Sequence, residues 1–311
     1  MNKKNSKLVL GTVELGLPYG LNNIKGQPSL KESFSILDNA LTFGIDTFDT
    51  AFAYGAAEDV LGKWIKSRNL NNKIKIISKL KPYALNDYPD GVKASDIIRL
   101  EINKSLQRLN IDQLDGYLLH TPQYVYNIHI INGLKKAKSD GLIKKFGVSI
   151  YDEAEALYAA NMPVDYIQIP YNIFDQRLNH AGFFNLAKKN NITVFARSPF
   201  LQGLLLMPSK KVPPHLNRAK PLLNEFISYL NRCHLSPLAA TLAFTLKNPN
   251  LDFIVFGANT PAEIKEVLFV ATNLPPLPND FFFFMEEKFS QTEKAIVNPS
   301  LWKTPLKKSR P

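Results

Sequence analysis

Apolar residues recur along the chain in two alternating rhythms. Runs of four to six residues, bounded by polar residues or glycine, occur at Leu8–Val13, Ile45–Phe48, Ile74–Ser78, Gly116–Leu119, Lys145–Ser149, Tyr166–Ile169, Thr193–Ala196 and Phe253–Phe256. Runs of this length predict buried strands. The segments between them carry helical spacing. Leu30, Phe34, Leu37 and Leu41 form one stripe, opened by Pro28-Ser29 and closed by Gly44. Val60, Leu61, Trp64 and Ile65 form a second, and Ile98, Ile102, Leu106 and Leu109 a third. Residues 134–139, 154–160, 183–189, 238–246 and 264–270 supply the others. Eight strand–helix alternations in about 270 residues predict a parallel sheet closed into a (β/α)8 TIM barrel. The longest gap, before the last strand, holds a Pro-rich stretch at 207–214 and an extra helix over 222–233, read as an insertion into a single domain. The rival open sheet lacks its Gly-x-Gly-x-x-Gly after the first strand. The barrel domain is placed at residues 1–298 and an irregular basic tail at 299–311.

Composition narrows the class. The chain has 311 residues with 45% hydrophobic and 21% charged, enough for a sizeable core. No apolar run approaches the roughly 20 residues of a membrane span, and no membrane partner is expected. One cysteine, Cys233, excludes an intramolecular disulfide, and a cytoplasmic location is expected. The net charge is +11, but Lys3, Lys4, Lys7, Lys303, Lys307, Lys308 and Arg310 place much of the excess at the ends. No helix has a continuous basic face, so an anionic small molecule fits the charge better than nucleic acid. His129, His180, His215 and His234 have no metal-ligand spacing.

The polar residues at the strand ends carry the candidate chemistry. The second strand ends in Asp49, with Tyr54 in the following loop; the third ends in Lys79 and the fourth in His120. In a barrel these ends are neighbours at the face where catalysis occurs. An ammonium beside a phenol is expected to favour phenolate and lower its pKa from about 10. A carboxylate would hold that cation, and a histidine beside the phenol would orient a carbonyl oxygen. Such a set protonates an oxygen as charge develops on it.

These residues, with their surroundings, resemble the aldo-keto reductase family. The resemblance rests on Gly44 to Gly55, Ser78-Lys79, Leu106 to His120, Gly147-Val148-Ser149, Gln168 to Asn172 and Ser198-Pro199. It implies an NAD(P)H-dependent oxidoreductase interconverting an aldehyde or ketone and an alcohol. Tyr54 is implied as proton donor, with Asp49 and Lys79 tuning it and His120 orienting the carbonyl. Ser149 and Gln168 are implied to hold the nicotinamide carboxamide. Tyr171 is expected to line the same site. Arg197 stands where an aromatic usually stacks on the nicotinamide. Ser198, Phe200, Leu201 and Gly203 match the loop over the pyrophosphate, and Gly257, Ala258 and Asn259 the loop that holds the adenosine phosphate. The cofactor is NADPH or NADH, with NADPH favoured by the resemblance alone.

Two further departures stand out. Ile150 replaces the usual Asn, and Asn259 the usual Arg or Lys for a 2′-phosphate, with Lys265 flanked by Glu263 and Glu266. Two alternatives stay open: a nucleotide-binding redox sensor with little turnover, and a Schiff-base lyase using Lys79. Tyr19, Asn86, Tyr124 and Arg197 lean toward a polar carbonyl substrate such as a sugar or sugar derivative.

Overall fold

A computed structural model describes residues 6–85 and 90–302. Asn86 and the last nine residues lie outside that range. Eight parallel strands close on themselves in sequence order, β1 (Leu8–Gly11), β2 (Thr47–Asp49), β3 (Lys75–Lys79), β4 (Leu114–Leu119), β5 (Ile143–Ser149), β6 (Tyr166–Pro170), β7 (Thr193–Arg197) and β8 (Phe253–Phe256). Register is fixed all round: Leu10 pairs with Phe48, Asp49 with Ile77, Lys79 with Leu118, Ser149 with Gln168, and Arg197 with Val255. This is the (β/α)8 barrel that the alternation predicts.

Local chemistry fixes the helices. Leu30–Thr42 begins with a capping box, in which Ser29 accepts from the Glu32 amide and Glu32 accepts from the Ser29 amide. Beyond its end, Gly44 adopts φ 89°, a left-handed turn that glycine enters without a Cβ penalty. The first strand is shorter than its apolar run, because the Leu15 amide bonds the Thr12 carbonyl and winds Val13–Gly16 into a helical turn.

A helix over Phe281–Phe289 has no counterpart among the predicted elements. Its run of four phenylalanines hides a helical pattern: Phe281, Met285 and Phe289 are buried four apart, while Phe282 and Phe283 are exposed. It packs Phe289 against Phe174 and Phe226. Pro299–Leu301 forms a 3-10 turn, and the Trp302 indole donates to the Ile296 carbonyl, stapling the chain to the barrel.

Strand alternation sets what lies inside. Val9, Ile77, Leu118, Phe195 and Val255 form a buried cluster separate from the layer between strands and helices. Side chains two residues further along a strand share its face. The same face therefore presents Gly11, Lys79, His120, Arg197 and Gly257, one layer above this apolar plug and toward the C-terminal mouth.

Candidate active site

The polar layer above the plug is a connected chain of hydrogen bonds. Ser149 Oγ donates to Gln168 Oε1 at 3.1 Å, and Gln168 Nε2 donates to Asp49 Oδ2 at 2.8 Å. Lys79 Nζ donates to Asp49 Oδ1 at 2.6 Å and to the Thr50 carbonyl at 2.9 Å. Ser149, Gln168, Asp49 and Lys79 are all buried. A buried ammonium must be paired to be tolerated. Burial draws the Lys79 pKa down, against the pull of Asp49.

Above this chain lies Tyr54. The Lys79 ammonium sits 4.9 Å from its ring centroid, and its ring meets the His120 imidazole edge to face at 5.8 Å. The expected lowering of the phenol pKa is not what the structure gives. Burial, followed by the Asp49 charge, raises it well above the ordinary value. Lys79 spends its donors on Asp49 and Thr50, so the carboxylate offsets its charge. Tyr54 therefore keeps its proton at any ordinary pH. Burial, then Lys79 and Arg197, lowers the His120 pKa to about 3, so the imidazole is neutral. His120 Nδ1 is buried and has no partner among the described residues.

Asp49, Tyr54 and His120 open into a groove of about 470 Å³ that crosses the barrel mouth, within the usual range of small-molecule sites. Ser149, Arg197, Ser198, Phe200, Gly203, Gly257 and Asn259 line it as well. Lys79 lies beneath it, fully buried. Arg197 stacks its guanidinium 4.6 Å from the Tyr151 ring and donates to the Ile150 carbonyl at 3.1 Å. Two of the three departures from the family pattern, Arg197 and Ile150, thus meet in one contact.

The loop after β7 is strained. Ser198, Leu201 and Gln202 all have positive φ, at 62°, 47° and 54°. The loop after β1 ties it down: the Leu21 amide donates to the Gln202 carbonyl at 2.9 Å, and Asn22 Nδ2 to the Gly203 carbonyl at 3.1 Å. Asn23 Nδ2 then donates to Asn259 Oδ1 at 2.8 Å. Residues 21–23 thereby strap the loops after β7 and β8 together across the groove.

Four of the expected cofactor residues do not line the groove. Gln168 has both ends of its amide committed to Ser149 and Asp49 and acts by holding the carboxylate. Leu201 and Ala258 are buried in the core. Tyr171 is one residue past Pro170, which shares a strand face with Gln168. The alternation therefore turns it toward the helices, where it stacks on Phe244 at 5.6 Å. Its hydroxyl bonds Asn179 and Asn248. Arg177 pairs with Asp175 at 2.8 Å and reaches Asp152 and Glu153, bracing the loop after β6.

Glu14 was not among the expected site residues, yet it lines the groove. It is buried, its Oε2 has no partner among the described residues, and burial raises its pKa to about 7. A Cβ on Gly257 would lie 2.0 Å from Glu14 Oε1, so only glycine leaves that carboxyl its place.

The aldo/keto reductase family model matches residues 7–288. The chain belongs to that family. Its members are NAD(P)H-dependent oxidoreductases of carbonyl compounds, and this chain is an enzyme of that kind. Among curated relatives, the aldo-keto reductase YhdN of Bacillus subtilis is 27% identical over 84% of this chain and 83% of its own length. An NADH-specific methylglyoxal reductase of Escherichia coli is 27% identical over 72% of this chain and 77% of its own length. A solved structure described as an aldo-keto reductase of Pseudomonas aeruginosa superposes with a TM-score of 0.64 at 19% identity. It covers 88% of this chain and 93% of its own, a likeness of fold. No helix among the described residues is long and apolar enough to cross a membrane.

Proposed function

We propose that Tyr54 is the proton donor in the reduction of a small polar aldehyde or ketone, with His120 as the second ligand of the substrate oxygen. The observation that carries this reading is the buried Lys79–Asp49 pair beneath the Tyr54 ring, with a neutral imidazole beside it at the same groove mouth.

The residues fit a nicotinamide dinucleotide. The groove has room, and two buried polar atoms, Glu14 Oε2 and His120 Nδ1, lack partners. Ser149 and Arg197 would hold the nicotinamide end, Ser198, Phe200 and Gly203 the middle, and Gly257 and Asn259 the far end. When bound, the cofactor supplies the hydride that the carbonyl carbon accepts.

The chain's own work is on the oxygen. Neutral His120 can donate one N–H to the carbonyl oxygen and fix its direction. As the C=O bond opens, the Tyr54 O–H bond breaks and its proton passes to that oxygen, leaving a phenolate. The ammonium of Lys79, locked against Asp49 and Thr50, stabilises that phenolate until it recovers a proton from water. Because this donor set is preorganised, no charge needs to move when the negative charge appears.

Lys79 lies under the groove with two of its three donors held by Asp49 and Thr50, which counts against its use as a Schiff-base nucleophile. Polar groove residues, among them Tyr19, Asn22, Tyr151 and Arg197, favour a hydroxylated or anionic carbonyl compound, such as a small sugar derivative. The related methylglyoxal reductase supports a small substrate.

The test is a stopped-flow mixture of the protein and reduced cofactor with short hydroxy- and keto-aldehydes. Oxidation of bound cofactor at a saturable rate is expected. A panel that leaves the cofactor reduced would replace this reading with the redox-sensor alternative.

A further inference from the structure

The far end of the groove carries more acid than a doubly phosphorylated ribose tolerates. Its lining includes Glu14, Glu263 and Glu266, and among the described residues the groove's one lysine or arginine is Arg197, beside the catalytic cluster. Lys25 and Lys265 are exposed nearby in sequence but do not line it.

The start of the helix Pro261–Thr272 shows what the acid does. A helix N-terminus is an anion site because its first amides lack partners. Here the protein supplies the anion itself. Thr260 Oγ1 accepts from the Glu263 amide at 3.1 Å, and Glu263 Oε2 accepts from the Asn259 amide at 2.7 Å. The Glu263 carboxylate is thereby fixed to the backbone just ahead of the helix, where it lines the groove.

A second, independent feature points to the ligand. Glu14 is buried and lines the same groove, and its Oε2 lacks a partner. A carboxyl oxygen left without a donor, in a groove that takes a nucleotide, suits a sugar hydroxyl. It does not suit a second phosphate.

We propose that this groove selects NADH and rejects NADPH, with Glu263 and Glu266 as the specificity-determining residues and Glu14 as a ligand to a cofactor hydroxyl. The inference rests on the nucleotide reading of the groove given above. Its physics is that of any ribose site: a carboxylate accepts from a free 2′-hydroxyl and repels a 2′-phosphate. The direction is opposite to the one the family resemblance favours.

Calorimetric titration of the full chain with NADH, NADPH, ADP and 2′,5′-ADP tests it without reference to turnover. Each ligand without the 2′-phosphate should bind about tenfold or more tightly than its 2′-phosphorylated counterpart, as like charges a few ångströms apart require. The ratio should shrink in 0.5 M salt, because exposed carboxylates are screened. The double variant Glu263→Gln/Glu266→Gln keeps an acceptor for the Asn259 amide and should gain about tenfold for the phosphorylated ligands. Glu14→Gln should weaken NADH and ADP more than NADPH and 2′,5′-ADP and so narrow the ratio.

Equal or tighter binding of NADPH by the wild type overturns the inference, as does a ratio that the double variant leaves unchanged. So does a loss of NADPH affinity in Lys25→Ala or Lys265→Ala, which would assign the phosphate to those lysines. Failure of all four ligands to bind removes the nucleotide reading together with the inference.

Discussion

At the Tyr54 end of the groove the charges are buried and paired; at the Glu263 end they are exposed and held to one turn of backbone. Lys79 and Asp49 have side chains 0% and 3% exposed and lie 2.6 Å apart. Glu263 and Glu266 are exposed, and Glu263 is held by its bonds to Asn259 and by the Thr260 cap. Burial makes the first pair strong and hard to change, because each charge depends on the other. Exposure makes the second set weak, salt-sensitive and open to substitution. In the proposed scheme the chemistry is fixed at one end and the choice of ligand is tuned at the other.

Substitutions can break this contrast. The largest effect should come from Lys79→Met, which leaves Asp49 buried without its cation. It should destabilise the fold by about 3–5 kcal/mol, measured by urea unfolding. A loss under 1 kcal/mol would mean that the pair is solvated rather than buried.

Glu14 tests the far end of the groove through pH. Its folded pKa, about 7, lies above the ordinary carboxyl value of 4.5. The folded state therefore holds a proton that the unfolded chain releases. The associated stability is present in full below pH 4.5 and is lost as pH rises through 7. Unfolding free energies at pH 5 and pH 8 should differ by up to about 3 kcal/mol more in the wild type than in Glu14→Gln. An identical pH slope in both would place the carboxyl in solvent.

Gln168→Ala removes a donor from Asp49 and an acceptor from Ser149 without touching the groove lining. About 1–3 kcal/mol of stability should go, the cost of an unsatisfied buried group, together with part of the turnover. A KM change with unaltered kcat would instead make Gln168 a ligand contact.

The smallest effect is expected from Asn22→Ala, which removes one bond of the strap, worth about 0.5–1.5 kcal/mol. Nucleotide release should quicken with the catalytic end undisturbed. A slower release would show that the strap holds the groove open.

Much of this was readable from residue order. Short apolar runs locate the strand ends, and strand ends locate Asp49, Lys79 and His120. Other features were hidden because they depend on register or on partners. Tyr171 falls one residue beyond the face it was expected to share, and no composition signal reports that step. Glu14 follows the first apolar run and carries no motif that marks it; its lack of a partner among the described residues is a three-dimensional fact. Glu263 read as a neighbour of Lys265, whereas the N-cap geometry turns the glutamate into the groove. The lowered pKa expected for Tyr54 counted the carboxylate only as a holder of the ammonium and omitted burial and the carboxylate's own charge on the phenol.

The central claim is that the Tyr54 hydroxyl delivers the proton. Single-turnover reduction by Tyr54→Phe, followed by loss of reduced-cofactor absorbance with a saturating aldehyde, tests it directly. The account predicts unchanged cofactor affinity and a hydride-transfer rate lower by about 10²–10⁴-fold. A rate within a few-fold of wild type would contradict it and move the proton donor to His120 or to water.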